Sequence, residues 1–214
     1  RDLSWLDFTY DPILAPDGSQ MVFQSGSEAR DEYSTYHWRM DGSIPKRLGT
    51  GQTLDVSPDW TTALVVDRPA GQAEQEYLKL VPIGAGETRT LPRGPVQRHM
   101  WSYWHPDGKR IVIFGYDAEG QNQMFVQDVS GGLPRPVRRL EGPPGGAFLQ
   151  ITPDGRYITL RMKAGSPYAF CPIDGGEAEP IPYLIAGERP LAFGDDGQSI
   201  FVVPFGNAFP AIVT

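Results

Sequence analysis

Thr152-Pro153-Asp154-Gly155 has relatives at Ala15-Pro16-Asp17-Gly18, Ser57-Pro58-Asp59-Trp60, His105-Pro106-Asp107-Gly108 and Gly194-Asp195-Asp196-Gly197. Its Asp falls at 17, 59, 107, 154 and 196, at intervals of 42, 48, 47 and 42 residues. A period of that size is the mark of a repeat architecture and overrides any reading of single segments. The tetrapeptide is a turn: Pro pre-sets φ, Asp suits the third position and Gly takes the left-handed conformation at the fourth. Ser57 and Thr152 can also hydrogen-bond their own turns. At Trp60 a side chain replaces the Gly, so either the backbone is left-handed at a cost of about 1 kcal/mol or another turn is used. The fifth copy, without Pro, is a looser corner.

The strand after each corner repeats as well. Gln20-Met21-Val22-Phe23, Ala63-Leu64-Val65-Val66, Ile111-Val112-Ile113-Phe114, Tyr157-Ile158-Thr159-Leu160 and Ile200-Phe201-Val202-Val203 are nearly unbroken apolar runs. Such runs indicate strands covered on both faces. A third strand, a Gly-rich turn (Asp41-Gly42-Ser43, Gly84-Ala85-Gly86, Gly131-Gly132, Gly175-Gly176) and a short edge strand ending in Leu48, Leu91, Val137 or Ile181 complete the unit. Four short antiparallel strands per repeat is the grammar of a β-propeller blade, which is stable only when stacked on its neighbours. The expectation is an all-β propeller of about five four-stranded blades, with repeats near 10–48, 52–91, 100–137, 147–181 and 189–214. Residues 1–8 read as the last strand of a preceding blade, and Ala208 to Val213 as a third strand without a fourth. Two arrangements fit. Either the N-terminal strand closes the ring, which removes exposed edges, or the chain is an arc of a longer propeller.

The repeat phrase Ser/Thr-Pro-Asp-Gly, apolar strand, Asp-Gly-Gly resembles the WD-like repeat of TolB-type propellers. Arg1-Asp2-Leu3-Ser4-Trp5-Leu6-Asp7 and Arg47-Leu48-Gly49-Thr50-Gly51-Gln52 are similar to the propeller regions of bacterial membrane serine/threonine kinases. That resemblance implies a sensing or scaffold module outside the cytoplasm, tethered through a membrane-spanning segment beyond this chain. It supplies no fixed catalytic residues. The alternative from another class is the substrate-gating propeller of a prolyl oligopeptidase-type serine peptidase, whose hydrolase domain would add about 250 residues.

Composition limits the partners. A net charge of −7 argues against a nucleic-acid backbone, and no run of apolar residues is long enough for a membrane span. The 25 Gly and 21 Pro fall below the level that signals disorder. The chain begins at Arg1 and reads as a mature piece or an excised segment, so missing targeting signals say little. Cys171 is the single cysteine, which rules out an internal disulfide; its apolar neighbours suggest a packed thiol. His37, His99 and His105 lack close carboxylate or cysteine partners, so no metal and no cofactor is expected. No Gly-x-Ser-x-Gly elbow, phosphate-cradling Gly loop or His-Glu-x-x-His is present, and no enzymatic activity is expected.

In a propeller, the loops between second and third strands and those leading into first strands share one rim, the default binding surface. Arg98, His99 and Trp101, on and beside the loop leading into the third repeat, form a candidate ligand clamp; Trp104 belongs to the core. Glu28-Ala29-Arg30-Asp31-Glu32-Tyr33 is a solvated loop or a docking site anchored by Arg30 and Tyr33. Arg68 and Tyr116 open the equivalent loops and would face Arg30 across the mouth. The arginines would then make a cationic pocket in an acidic protein, suited to a small anion, a carboxylate-bearing peptide or a protein.

Overall fold

The structure, a computed structural model, describes residues 8–27, 32–68, 76–142, 149–163, 165–194, 196–204 and 211–213. Within these, every regular element is a strand, and five antiparallel sheets succeed one another along the chain. The first contains β1 (Phe8–Leu14), β2 (Gln20–Ser27), β3 (Glu32–Arg39) and β4 (Lys46–Thr50). The second contains β5 (Gln52–Val56), β6 (Thr62–Asp67), β7 (Tyr77–Pro82) and β8 (Arg89–Thr90). The third contains β9 (Arg98–Trp104), β10 (Arg110–Tyr116), β11 (Asn122–Asp128) and β12 (Arg135–Arg139). The fourth has β13 (Tyr157–Arg161), β14 (Tyr168–Pro172) and β15 (Glu179–Pro180), and the fifth β16 (Arg189–Phe193), β17 (Ile200–Val203) and β18 (Ala211–Val213). Each sheet runs in simple sequence order, the meander of a propeller blade.

The apolar runs are explained by what their two faces meet. In β10, Ile111 and Ile113 join Leu64, Val66 and Leu80 of the second blade, while Val112 and Phe114 join Ile158 and Leu160 of the fourth. In β6, Ala63 and Val65 pack toward Val22 of the first blade, while Leu64 and Val66 pack toward the third. Successive side chains point to opposite faces of a strand, so only a continuous apolar run can serve two neighbours at once.

The corners behave as the turn chemistry requires. Gly18, Gly108, Gly155 and Gly197 have φ between 63° and 73°, and Trp60 takes the same left-handed backbone at φ 57°. Each corner Asp accepts an N–H two residues on: Asp17 from Ser19 (2.9 Å), Asp59 from Thr61 (3.1 Å), Asp107 from Lys109 (2.8 Å), Asp154 from Arg156 (3.0 Å) and Asp196 from Gln198 (2.9 Å). The Thr152 and Ser57 hydroxyls accept the N–H of Tyr157 and Thr62, both at 3.0 Å. The Thr152 hydroxyl and Arg156 hold the Asp154 carboxyl down to about 2.

One corner also reaches its neighbour. His105 Nδ1 accepts the Asp107 N–H (3.2 Å), which leaves Nε2 to donate to the Gly155 carbonyl of the next blade (2.7 Å). A Cβ on Gly155 would collide with that ring, whereas one on Gly108 would meet nothing within 4 Å. Gly108→Ala is therefore expected to cost about 1 kcal/mol, for its backbone alone. Gly155→Ala should cost about 2–3 kcal/mol, because the His105 clasp must open as well. Urea denaturation of the two variants reads the difference; equal losses would show that the clasp contributes nothing.

Several details differ from the sequence reading. Phe8, read there as part of a leftover strand, is the first residue of β1; residues 1–7 lie outside the described residues. The fourth blade has no regular first strand among the described residues, only the bridge Ile151–Ile158, beside which the Gln150 N–H donates to the Thr159 hydroxyl (2.9 Å) and the Gln150 carbonyl accepts the Thr159 N–H (2.8 Å). The edge strands β8 and β15 are two residues long and stop short of Leu91 and Ile181. Cys171 is buried, its thiol pushed up to about 11 by that burial, as a packed thiol should be.

Candidate rim site

The rim between the second and third blades begins with a mismatch in β9. Phe114 pairs with Trp101, but the next residue, Gly115, pairs with His99, so Met100 is an extra residue bulged out of the ladder. A bulge twists its strand and re-aims the neighbouring side chains. Gly115 makes it possible: a Cβ there would collide with the Arg98 carbonyl and stand 3.0 Å from Val96. The apolar run therefore stops in a glycine where the backbone of β9 comes closest.

Arg68, Arg98, His99, Met100, Trp101 and Tyr116 line a cleft of about 230 Å³ at this rim. Five residues singled out from the sequence thus come together. Tyr33 does not join them. It lies within β3 rather than a loop, its ring edge-on to Tyr10 with centroids 6.3 Å apart. Arg30 lies outside the described residues.

The electrostatics correct the picture of free arginines. Glu76, just before β7, sits 2.5 Å from Arg68 Nε. The same guanidinium also donates to Gln52 and to the His99 carbonyl, the latter at 3.1 Å. The second Glu76 oxygen accepts the His99 N–H at 2.7 Å and lies 3.7 Å from the ring's Nδ1. Burial alone would raise the Glu76 carboxyl, but the His99 ring, Arg68 and the His99 N–H outweigh it and hold it at about 2. Arg68 is thus spent on a structural ion pair joining two blades.

His99 is not an open loop residue either. It is a strand residue, 3% exposed, its Nδ1 turned to Glu76. Arg98 is different: it is exposed, and its guanidinium has no hydrogen-bond or ion-pair partner among the described residues. The half-buried Trp101 and Tyr116 stand beside it. The sequence reading missed Glu76, which closes the Arg68 loop with no local signal of its role. Among the described residues no group of three His, Cys, Asp or Glu side chains could hold a metal ion.

No protein-family model matches the chain, and no curated protein sequence matches it. Solved structures do resemble it. TolB from Acinetobacter baumannii superposes with a TM-score of 0.68 at 16% identity, over 96% of this chain and 51% of that one, so the chain spans about half the length of that relative. A TolB-type structure from Agrobacterium tumefaciens gives 0.68 at 20% identity, over 91% of this chain and 69% of that one. The β-propeller domain of the Trilobed protease from Pyrococcus furiosus gives 0.62 at 11% identity, over 96% and 67%. At these identities the likeness concerns the fold alone, and that fold is a β-propeller.

Proposed function

We propose that this chain is a non-catalytic recognition propeller whose rim cleft between the second and third blades receives an anionic group, such as a carboxylate. The observation that carries the reading is Arg98: an exposed guanidinium without a counter-charge among the described residues, beside an indole and a phenol, in a cleft whose other cation is already neutralised. A guanidinium binds a carboxylate through two parallel hydrogen bonds, and an adjacent aromatic face supports a planar ligand. Resemblance to kinase-associated propellers favours a sensing or scaffold module on the extracytoplasmic side of a bacterial signalling protein. No helix among the described residues is long and apolar enough to cross a membrane, so a tether would be supplied by another segment.

A second reading has its own support. Pyrococcus horikoshii acylaminoacyl peptidase superposes at a TM-score of 0.64 with 12% identity, over 96% of this chain and 38% of that one. A propeller that filters substrates for a hydrolase domain therefore fits the same fold.

The test uses an N-acetylated dipeptide with a free C-terminal carboxylate, set against its amide, with tryptophan fluorescence as the readout. The acid should bind and the amide should not; Arg98→Glu should weaken the acid by about tenfold or more, the loss of one charge-assisted pair. Equal binding of acid and amide, or an Arg98→Glu variant that binds normally, rejects the anion site.

A further inference from the structure

The opposite face of the propeller, where the corners lie, carries a second cleft of about 740 Å³ between the fourth and fifth blades. Its wall is aromatic. Tyr157 and Phe170 have ring centroids 5.9 Å apart, and Phe170 stacks on Phe193 of the next blade at 6.4 Å. All three rings are half-buried. Between the third and fourth blades the same end is shut by the His105–Gly155 clasp; between the fourth and fifth blades it stands open as this cleft. Tyr183 stands on the wall with 82% of its surface exposed and a backbone φ of 63°. A non-glycine residue rarely holds that conformation, and packing of its own side chain does not account for it here. An open aromatic surface of this kind marks an interaction site.

The geometry points to an extended, proline-rich segment of a partner protein, carrying a basic residue, as the occupant of this cleft. Three observations select it. The blade edge beside the cleft contains Pro180 and Pro182, which have no N–H, so it is poorly suited to adding a strand by ladder pairing. A polyproline II segment needs no ladder: it docks between aromatic rings and leaves its carbonyls free for side-chain donors. Such a segment advances about 6 Å for every two residues, close to the ring spacing. Gln198 and Tyr183 line the cleft with side chains that make no hydrogen bond among the described residues, and both can donate to those carbonyls. The charges fix the flank. Two carboxylates, Asp154 and Glu179, line the cleft against one arginine, Arg156, which is paired with Asp154 at 2.7 Å, lies over the Tyr157 ring and also feels the Glu179 charge, so the flank keeps a net negative charge that suits a cation.

The probe is a fluorescein-labelled decapeptide of Pro-Pro-Leu-Pro-Pro-Arg-Pro-Pro-Leu-Pro sequence, with a control in which Gly replaces every Pro, both read by fluorescence anisotropy. Micromolar binding of the proline peptide alone is expected. Tyr183→Ala should weaken it by about tenfold, as loss of an aromatic anchor does. Glu179→Lys should weaken the arginine peptide and leave an alanine-for-arginine version unchanged. Arg98→Glu should have no effect, which separates this cleft from the rim site. Because Tyr183 and Glu179 are exposed, both variants should keep the native circular dichroism spectrum. Equal binding of the glycine control, indifference to Tyr183→Ala, or wild-type self-association abolished by Tyr183→Ala would each overturn the assignment, the last because a second copy would then be the occupant.

Discussion

Phe114→Ala is expected to lower the stability of the chain by about 3–5 kcal/mol, the range for emptying a large aromatic site in a close-packed core. Phe114 is fully buried, edge-on to Tyr103 with centroids 6.4 Å apart, and packs with Met124, Ile158 and Leu160. It therefore occupies the seam between the third and fourth blades, where the surroundings belong to two sheets and cannot collapse as a unit. Domains have only about 5–15 kcal/mol in total, so this loss is a large share of it. Leu133→Ala, at an exposed position, should stay within about 0.5 kcal/mol. Equilibrium urea unfolding compares the two, and a loss below about 1 kcal/mol for Phe114 would mean that the blades do not pack as described. Because Phe114 pairs with Trp101 in the ladder, the variant should also weaken binding at the rim.

Glu76→Ala should cost about 2–3 kcal/mol, since it strands the buried N–H of His99 and removes the counter-charge of the partly exposed Arg68. Its pH dependence has a definite sign. The folded carboxyl, at about 2, lies below its ordinary value of 4.5, so the unfolded chain takes up the proton first as pH falls. The stabilisation is complete above about pH 5 and drains away between 4.5 and 2. Asp55 acts in the opposite direction. Burial lifts its carboxyl from 3.8 to about 6, against the N–H groups of Trp104 and Val56, each donating to it at 2.7 Å. A raised acid holds its proton better when folded, so the rise from about pH 4 to 6 costs stability. Together they place a stability maximum near pH 4–5. Glu76→Gln should flatten the acid limb and Asp55→Asn the limb above it, both visible in urea midpoints measured across pH 2–8; slopes unchanged in the variants would remove these two groups as the cause.

What could be read from the residues was the local mechanics. The corner Asp, the left-handed Gly and the two-faced apolar strands each depend on neighbours within about six residues, so their chemistry is written in order along the chain. The rim was legible only in part. Arg68, Arg98, Trp101 and Tyr116 meet because repeat phasing brings their strand ends to one edge. The bulge at Met100 left no mark except Gly115, and it converts Arg98 and His99 from loop residues into strand residues. The Arg68–Glu76 pair is invisible for another reason: opposite charges eight residues apart occur in any charged loop, and only the packed fold decides which of them meet. The fourth blade follows the same logic at one point, where the Thr159 hydroxyl rather than a backbone carbonyl takes the Gln150 N–H.

The corner turns satisfy their polar groups almost entirely from within, through the Asp side chain and, in two copies, the preceding hydroxyl. Apart from links such as the His105 clasp to Gly155, a unit that needs so little from outside can be copied or deleted whole with few donors stranded in its neighbours. Genetic duplication in steps of one period is then the least disruptive way for such a gene to change length, and related chains should differ by complete blades sooner than by fragments of one.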